Sequence, residues 1–123
     1  MESNPVVWFE IYVQDMQRAR KFYESVFAVK LEKLAVDESE LWAFPMSTEG
    51  TGAPGALVKM DGVASGGNST LVYFSCVDCA VEASRVAAAG GQVEREKMSI
   101  GEHGFICLAR DSEGNMFGLH STH

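Results

Sequence analysis

A chain of 123 residues, 46% apolar and 22% charged, is long enough for one compact domain and needs neither disulfide nor metal to fold. Its net charge of −7, without a Lys/Arg cluster, repels phosphate backbones and anionic bilayers, which argues against nucleic acid or membrane as a partner. No run reaches the roughly 18–20 apolar residues of a membrane span. Met1–Val13 lacks the basic start of a signal peptide, and three cysteines, an odd count, read as free thiols, so a cytoplasmic location is expected.

From Val6 to Val13, Val7, Phe9, Ile11 and Val13 alternate with Trp8, Glu10 and Tyr12, a period of two that predicts a strand with one wholly apolar face. Asp15 stands at a helix N-cap position. Ala19, Phe22, Tyr23, Val26 and Phe27 then recur at three and four residues, predicting a helix that ends near Phe27 with this stripe inward. Arg18, Arg20, Lys21 and Glu24 fall on its solvent side. Strands are expected over Val29–Val36, Leu41–Met46 and Gly55–Met60, with a polar turn at Asp37–Glu40 and a loop at Ser47–Pro54. The Gly-rich tract Asp61–Ser69 reads as a flexible connection and a boundary between halves.

The pattern then repeats. Thr70–Val77 is a strand, Asp78 an N-cap, and Val81, Ala83, Val86 and Ala87 the inward stripe of a helix closed by Gly90 and Gly91. Gln92–Met98, Gly104–Ala109 and Asn115–His120 read as three strands, the last two joined by the turn Asp111–Asn115. Strand, Asp cap, helix and three strands thus occur twice, 63–64 residues apart, as pseudo-repeats 1–61 and 69–123 of a single domain, 1–123. The expected fold class is α+β, two βαβββ modules.

Phe9–Asp15 followed by Arg18-Ala19, Phe22-Tyr23 and Val26-Phe27, together with the closing Asp111–Asn115 and Phe117–His120, resembles the vicinal-oxygen-chelate (glyoxalase/bleomycin resistance/dioxygenase) superfamily, in its glyoxalase-related subgroup. With the duplication, the likeness covers essentially the whole chain. It implies curved mixed sheets forming a cup with helices outside, a small-molecule ligand, and a homodimer. On that fold Trp8, Glu10 and Tyr12 point into the cup. By strand parity so do Phe74 on the fifth strand, and Met116, Gly118 and His120 on the last. Trp42 and Phe44 cannot be oriented from parity.

Metal-dependent relatives carry four His, Gln or Glu ligands, and those positions fall here on Trp8, Ala56, Val72 and Gly118. None of these side chains donates a lone pair to a metal, so no metal and no cofactor is expected. Glu10 and His120 remain as the polar groups of the cup. A carboxylate between Trp8 and Tyr12 has its charged form disfavoured by desolvation unless a cation or donor compensates, and His120 is a candidate partner. The expected site is therefore Glu10 and His120 for proton transfer, with Trp8, Tyr12, Phe74 and Met116 binding the ligand. The alternatives left open are a ligand-sequestering, drug-resistance-like protein and a metal enzyme with a non-standard set built from Glu10, His103 and His120. Cys76-Val77-Asp78-Cys79 is a bare CxxC with Cys76 ending a strand, and reads as structural thiols. His103 reads as an exposed loop residue.

Overall fold

The computed structural model describes residues 4–36, 39–50 and 52–123; Asp37 and Glu38 of the expected turn and Thr51 of the expected loop lie outside them. The chain divides into two compact units, one of Trp8–Thr70 and one of Leu71–His123 with the segment ending at Val7. Among the described residues the elements are β1 (Val6–Tyr12), α1 (Met16–Phe27), β2 (Glu32–Leu34), β3 (Glu40–Ala43), β4 (Gly55–Lys59), β5 (Thr70–Ser75), α2 (Cys79–Val86), β6 (Gln92–Ser99), β7 (Phe105–Arg110) and β8 (Met116–Ser121). No helix among them is long and apolar enough to cross a membrane.

The two units share one topology. In the first, β1 pairs in parallel with β4, and β4–β3 and β3–β2 are antiparallel. In the second, β5 pairs in parallel with β8, and β8–β7 and β7–β6 are antiparallel. Each is a βαβββ module with a mixed sheet, the α+β class expected. The parallel pair exists because the helix carries the chain back to the starting end of the sheet.

Both helices start on aspartate caps. Asp15 Oδ1 accepts from Arg18 N at 3.0 Å, and Asp78 Oδ1 accepts from Ala80 N at 3.0 Å. Helix α1 ends with Ala28 in the left-handed region at φ 53°, its N–H donating to Glu24 O. The core of this unit gathers Met16, Leu31 and Leu57 with Ile11, Val13, Ala19, Tyr23, Trp42 and Phe44. The apolar face of β1 therefore lies on α1 as expected, and Trp42 and Phe44 belong to the same side.

The stripes turn out narrower than read from sequence. Phe22, Val26 and Phe27 are 59%, 56% and 62% exposed, and the buried track of α1 is Met16, Ala19 and Tyr23. Arg20 and Glu24, expected in solvent, are partly buried instead. The Arg20 guanidinium lies 3.6 Å from the centre of the Trp42 ring and 3.5 Å from Glu24 Oε2, which also accepts from Leu31 N at 2.9 Å. A long side chain can cover apolar surface with its stem while its charge rests on an aromatic face, so it competes for helix positions that hydropathy assigns to Phe. In α2 the inward residues are Cys79 and Ala83, with Val86 half-buried, whereas Val81 and Ala87 are exposed.

Asp78 anchors α2 twice. Its Oδ1 also accepts from Lys97 Nζ at 2.9 Å. The Lys97 hydrogen bond first, and the Ala80 N–H next, hold the Asp78 carboxyl below the usual carboxylate range. A depressed folded-state value contributes stability above the unfolded value and loses it as pH falls through the folded one. Lys97→Met, which keeps the apolar stem, is expected to lower the urea midpoint at pH 7. The gap from wild type should close in acid as Asp78 protonates; a gap independent of pH would show that the pair contributes nothing.

Candidate functional site

In the first unit the side of β1 turned away from α1 presents Trp8, Glu10 and Tyr12. On a strand these i, i+2, i+4 positions share a face, so rings at both ends can reach the central carboxylate. They do: Trp8 Nε1 donates to Glu10 Oε2 at 3.2 Å, and Tyr12 Oη donates to Glu10 Oε1 at 2.7 Å. Beside Glu10 in register stands Ala56, and beside Ala56 stands Ala43. Two alanines therefore separate Glu10 from Glu32, the register partner of Ala43 on β2, at the far end of the same row. The expectation that a compensating donor accompanies this carboxylate is met within β1 itself, by two aromatic donors. Among the described residues, Glu10 has no Lys, Arg or His in an ion pair with it.

The end of β1 is held by the Gly-rich tract read as a flexible connection. Tyr12 N donates to Ser69 O at 2.7 Å, Ser65 Oγ donates to Tyr12 O at 3.0 Å, and Gln14 Nε2 donates to Val63 O at 2.9 Å. This is a tied loop. Its serines were not recognisable as anchors in sequence, because a Ser–Gly tract has the composition of a linker.

In the second unit His120 lies on β8 between Leu119 and Ser121, on the side opposite Phe117 and Leu119, which pack with Cys79 and Ala83 of α2. Met116 and Gly118 share the His120 side. His120 Nε2 sits 2.6 Å from the carbonyl oxygen of His103. A carbonyl can only accept, so Nε2 carries the proton and, in the neutral ring, Nδ1 carries the lone pair. The acceptor comes from a single 3₁₀ turn, Gly101–His103, within the segment read as a loop. His103 therefore contributes its backbone to His120, while its imidazole is exposed beside Glu102 at 3.8 Å.

Phe74 is not on the same side as His120. It packs edge-to-face on Phe117, with ring centres 5.8 Å apart, in the cluster of Cys79, Ala83, Cys107 and Leu119 under α2. Its partner in register is Leu119, and Tyr73 is the one paired with Gly118. The parity assigned to Phe74 was off by one because the repeat offset is 63, as Asp15 to Asp78 shows, and not 64. With 63, Trp8 corresponds to Leu71 and Glu10 to Tyr73. Val72, taken as a ligand position, shares the Phe74 side of the strand.

The residues present do not fit the family's metal. Trp8, Ala56, Val72 and Gly118 lack ligating side chains, and the corrected position Leu71 lacks one too. At Gly118 a Cβ would stand 2.2 Å from Tyr73 Cδ1, so the tyrosine ring fills the volume a ligand side chain would need. Among the described residues, no group of three or more His, Cys, Asp or Glu could hold a metal ion.

The three cysteines are free thiols, with Cys79 and Cys107 buried and Cys76 half-buried. Burial first, and the neighbouring Glu82 charge next, push the Cys76 thiol up to about 11. Burial first, then the hydrogen bond with Cys79, push Cys107 up to about 12. Thiolates are the reactive form, so the raised Cys76 thiol and the burial of Cys79 both disfavour reaction of this CxxC in the folded protein.

Two outcomes are expected. In a thiol-labelling assay at pH 7 the native protein should react slowly and the urea-unfolded protein fast at all three sites; fast native labelling would show that the cluster opens. Gly118→Ala should lower stability by about 1–3 kcal/mol, the cost of overpacking, and Tyr73→Leu in the same chain should recover part of it. An unfolding midpoint unchanged by Gly118→Ala would show that the Tyr73 ring lies elsewhere.

The glyoxalase/bleomycin resistance protein/dioxygenase superfamily model matches residues 6–119. No curated protein matches the chain. Solved structures do. A hypothetical protein from Bacillus halodurans aligns with a TM-score of 0.73 at 11% identity, covering 99% of this chain and 96% of that one. A variant of Streptomyces coelicolor methylmalonyl-CoA epimerase in complex with 2-nitronate-propionyl-CoA aligns at 0.67 and 11% identity, covering 97% of each chain. Methylmalonyl-CoA epimerase from Mycobacterium tuberculosis aligns at 0.65 and 14%, covering 97% of this chain and 88% of that one. At such identities the likeness is one of fold. With a family model spanning nearly its whole length, this chain belongs to the glyoxalase/bleomycin resistance protein/dioxygenase superfamily.

Proposed function

We propose that the protein binds a small molecule on the Trp8–Glu10–Tyr12 face of β1, without the metal of its metal-dependent relatives. Glu10 is the polar anchor, and the observation that carries the reading is its geometry. A partly buried carboxylate costs free energy unless its lone pairs are used, and here each oxygen takes one aromatic donor while keeping a lone pair for a ligand. Holding a carboxylate rigidly between two ring donors is pre-organisation, which is how a few polar groups orient a ligand in an otherwise apolar site.

The chemistry such a group can supply is proton acceptance from a bound ligand. On β8 of the second unit, His120 turns Nε2 to the His103 carbonyl, so in the neutral ring Nδ1 is likewise a proton acceptor. The solved neighbours include methylmalonyl-CoA epimerases, so this fold accommodates epimerisation, although the assignment to Glu10 rests on geometry alone. The reading places the protein in the cytosol, where free thiols persist, as a homodimer. A purely sequestering role differs only in lacking turnover.

A library of small aromatic and carbonyl compounds, screened by ligand-observed NMR, tests the proposal. Binders are expected, and Glu10→Gln should weaken those whose own N–H or O–H donates to the carboxylate, the strongest of them by about tenfold. Hits unaffected by both Glu10→Gln and Trp8→Phe would place the ligand elsewhere. For carbonyl binders, deuterium uptake from heavy water that vanishes in Glu10→Gln identifies an enzyme; binding without uptake identifies a sequestering protein.

A further inference from the structure

The first unit contains a second Trp–Glu pair, and that pair shows what such an arrangement holds. On β3, Trp42 Nε1 donates to Glu40 Oε2 at 2.9 Å, the same two-residue spacing as Trp8 and Glu10. Over the Trp42 ring, 3.6 Å from its centre, lies the Arg20 guanidinium. Drawing indole N–H density toward a carboxylate makes the ring face a better seat for a cation, and the seat on Trp42 is filled from within the chain.

On β1 the pair recurs with Tyr12 added, and among the described residues no cation fills it. Glu24 has Arg20, Asp78 has Lys97 and Glu94 has Arg110. Glu10 and Trp8 have each other and Tyr12, and among the described residues neither has a cationic partner. Dipoles satisfy the carboxylate's lone pairs without neutralising its charge. A net charge of −7 adds a field that concentrates cations and repels anions. We infer that the ligand of the β1 face is a small organic cation, an ammonium compound whose charge sits against Glu10 and the Trp8 ring. The inference rests on the proposal that this face takes the ligand, and it adds the ligand's charge.

Three probes that share a ring and differ in charge test it: benzylamine, benzyl alcohol and benzoate, with benzyltrimethylammonium as a cation that cannot donate a hydrogen bond. The readout is the Trp8 indole N–H resonance of the whole chain at about 0.15 M salt, assigned with Trp8→Phe and compared with the Trp42 indole as internal control. Benzylamine and benzyltrimethylammonium are expected to shift it at concentrations at least about tenfold below benzyl alcohol, as desolvated cation–π and charge contacts allow. Benzoate should leave it unmoved. Glu10→Gln should cut the response to both cations about tenfold and change that to benzyl alcohol little. The comparison within the wild-type protein stands even where a variant folds poorly. Benzyl alcohol or benzoate acting on Trp8 as readily as benzylamine would overturn the cation while keeping a binding face. A Trp8 resonance that no probe moves would overturn this inference, and library hits indifferent to both Glu10→Gln and Trp8→Phe would overturn the parent proposal with it.

Discussion

The two sides of β1 are held apart by burial against α1. Ile11 and Val13 pack with Leu31 and Leu57, both wholly buried, and with Met16. Burying each such aliphatic side chain is worth about 1.5–3 kcal/mol. A one-residue slip of the strand would put Glu10 into that layer, where an unpaired charge costs several kcal/mol, and would expose Ile11. Because the apolar term and the charge term favour the same register, Trp8, Glu10 and Tyr12 are fixed on the opposite side. The helix cap contributes to the same end. Asp15 starts α1 three residues after Tyr12, which sets Met16, Ala19 and Tyr23 over the strand.

The second unit repeats this frame with different chemistry. An offset of 63 carries Asp15 to Asp78 and Val13 to Cys76, which packs under α2 as Val13 packs under α1. The same offset carries Trp8, Glu10 and Tyr12 to Leu71, Tyr73 and Ser75. Leu71 and Tyr73 are buried, and neither is charged. Duplication has kept caps, register and helix packing, the features that decide whether a module folds. It has not kept the polar group of the first strand. The acid at this strand position belongs to the first unit alone, and the second unit carries its own polar ring, His120, on β8.

Much of this frame was legible in the amino-acid sequence because strong, redundant signals specify it. Each strand sits within a residue or a few of its apolar run, each helix begins on its aspartate, and the Asp111–Asn115 turn is stapled by Asp111 Oδ1 accepting from both Glu113 N and Asn115 N at 2.9 Å. The helix faces were less legible. Phe22, Val26 and Phe27 score as core, yet the contact area under α1 is filled by Met16 and Tyr23 and by Arg20 on Trp42, a pairing hydropathy cannot register. Phe74 was assigned to the wrong side because alternation doubles any error of one residue into a change of face. The donors on Glu10 were implicit in the Trp–Glu–Tyr spacing. The His103 carbonyl on His120 was not, since backbone acceptors leave no trace in side-chain identity.

The Tyr73–Gly118 contact adds a steric obstacle to a ligating side chain at position 118. Restoring a ligating side chain at 118 would require its Cβ to occupy space already held by Tyr73 Cδ1 and Cε1, at 2.2 and 2.3 Å. Tyr73 is buried, so the ring has no solvent to retreat into without leaving a cavity or displacing a neighbour. The volume can therefore hold an aromatic ring or a metal ligand, and the sequence has committed it to the ring. The proposed reading accordingly relies on side chains alone: a carboxylate held by two donors on β1, and an imidazole on β8 whose Nε2 proton faces a backbone carbonyl.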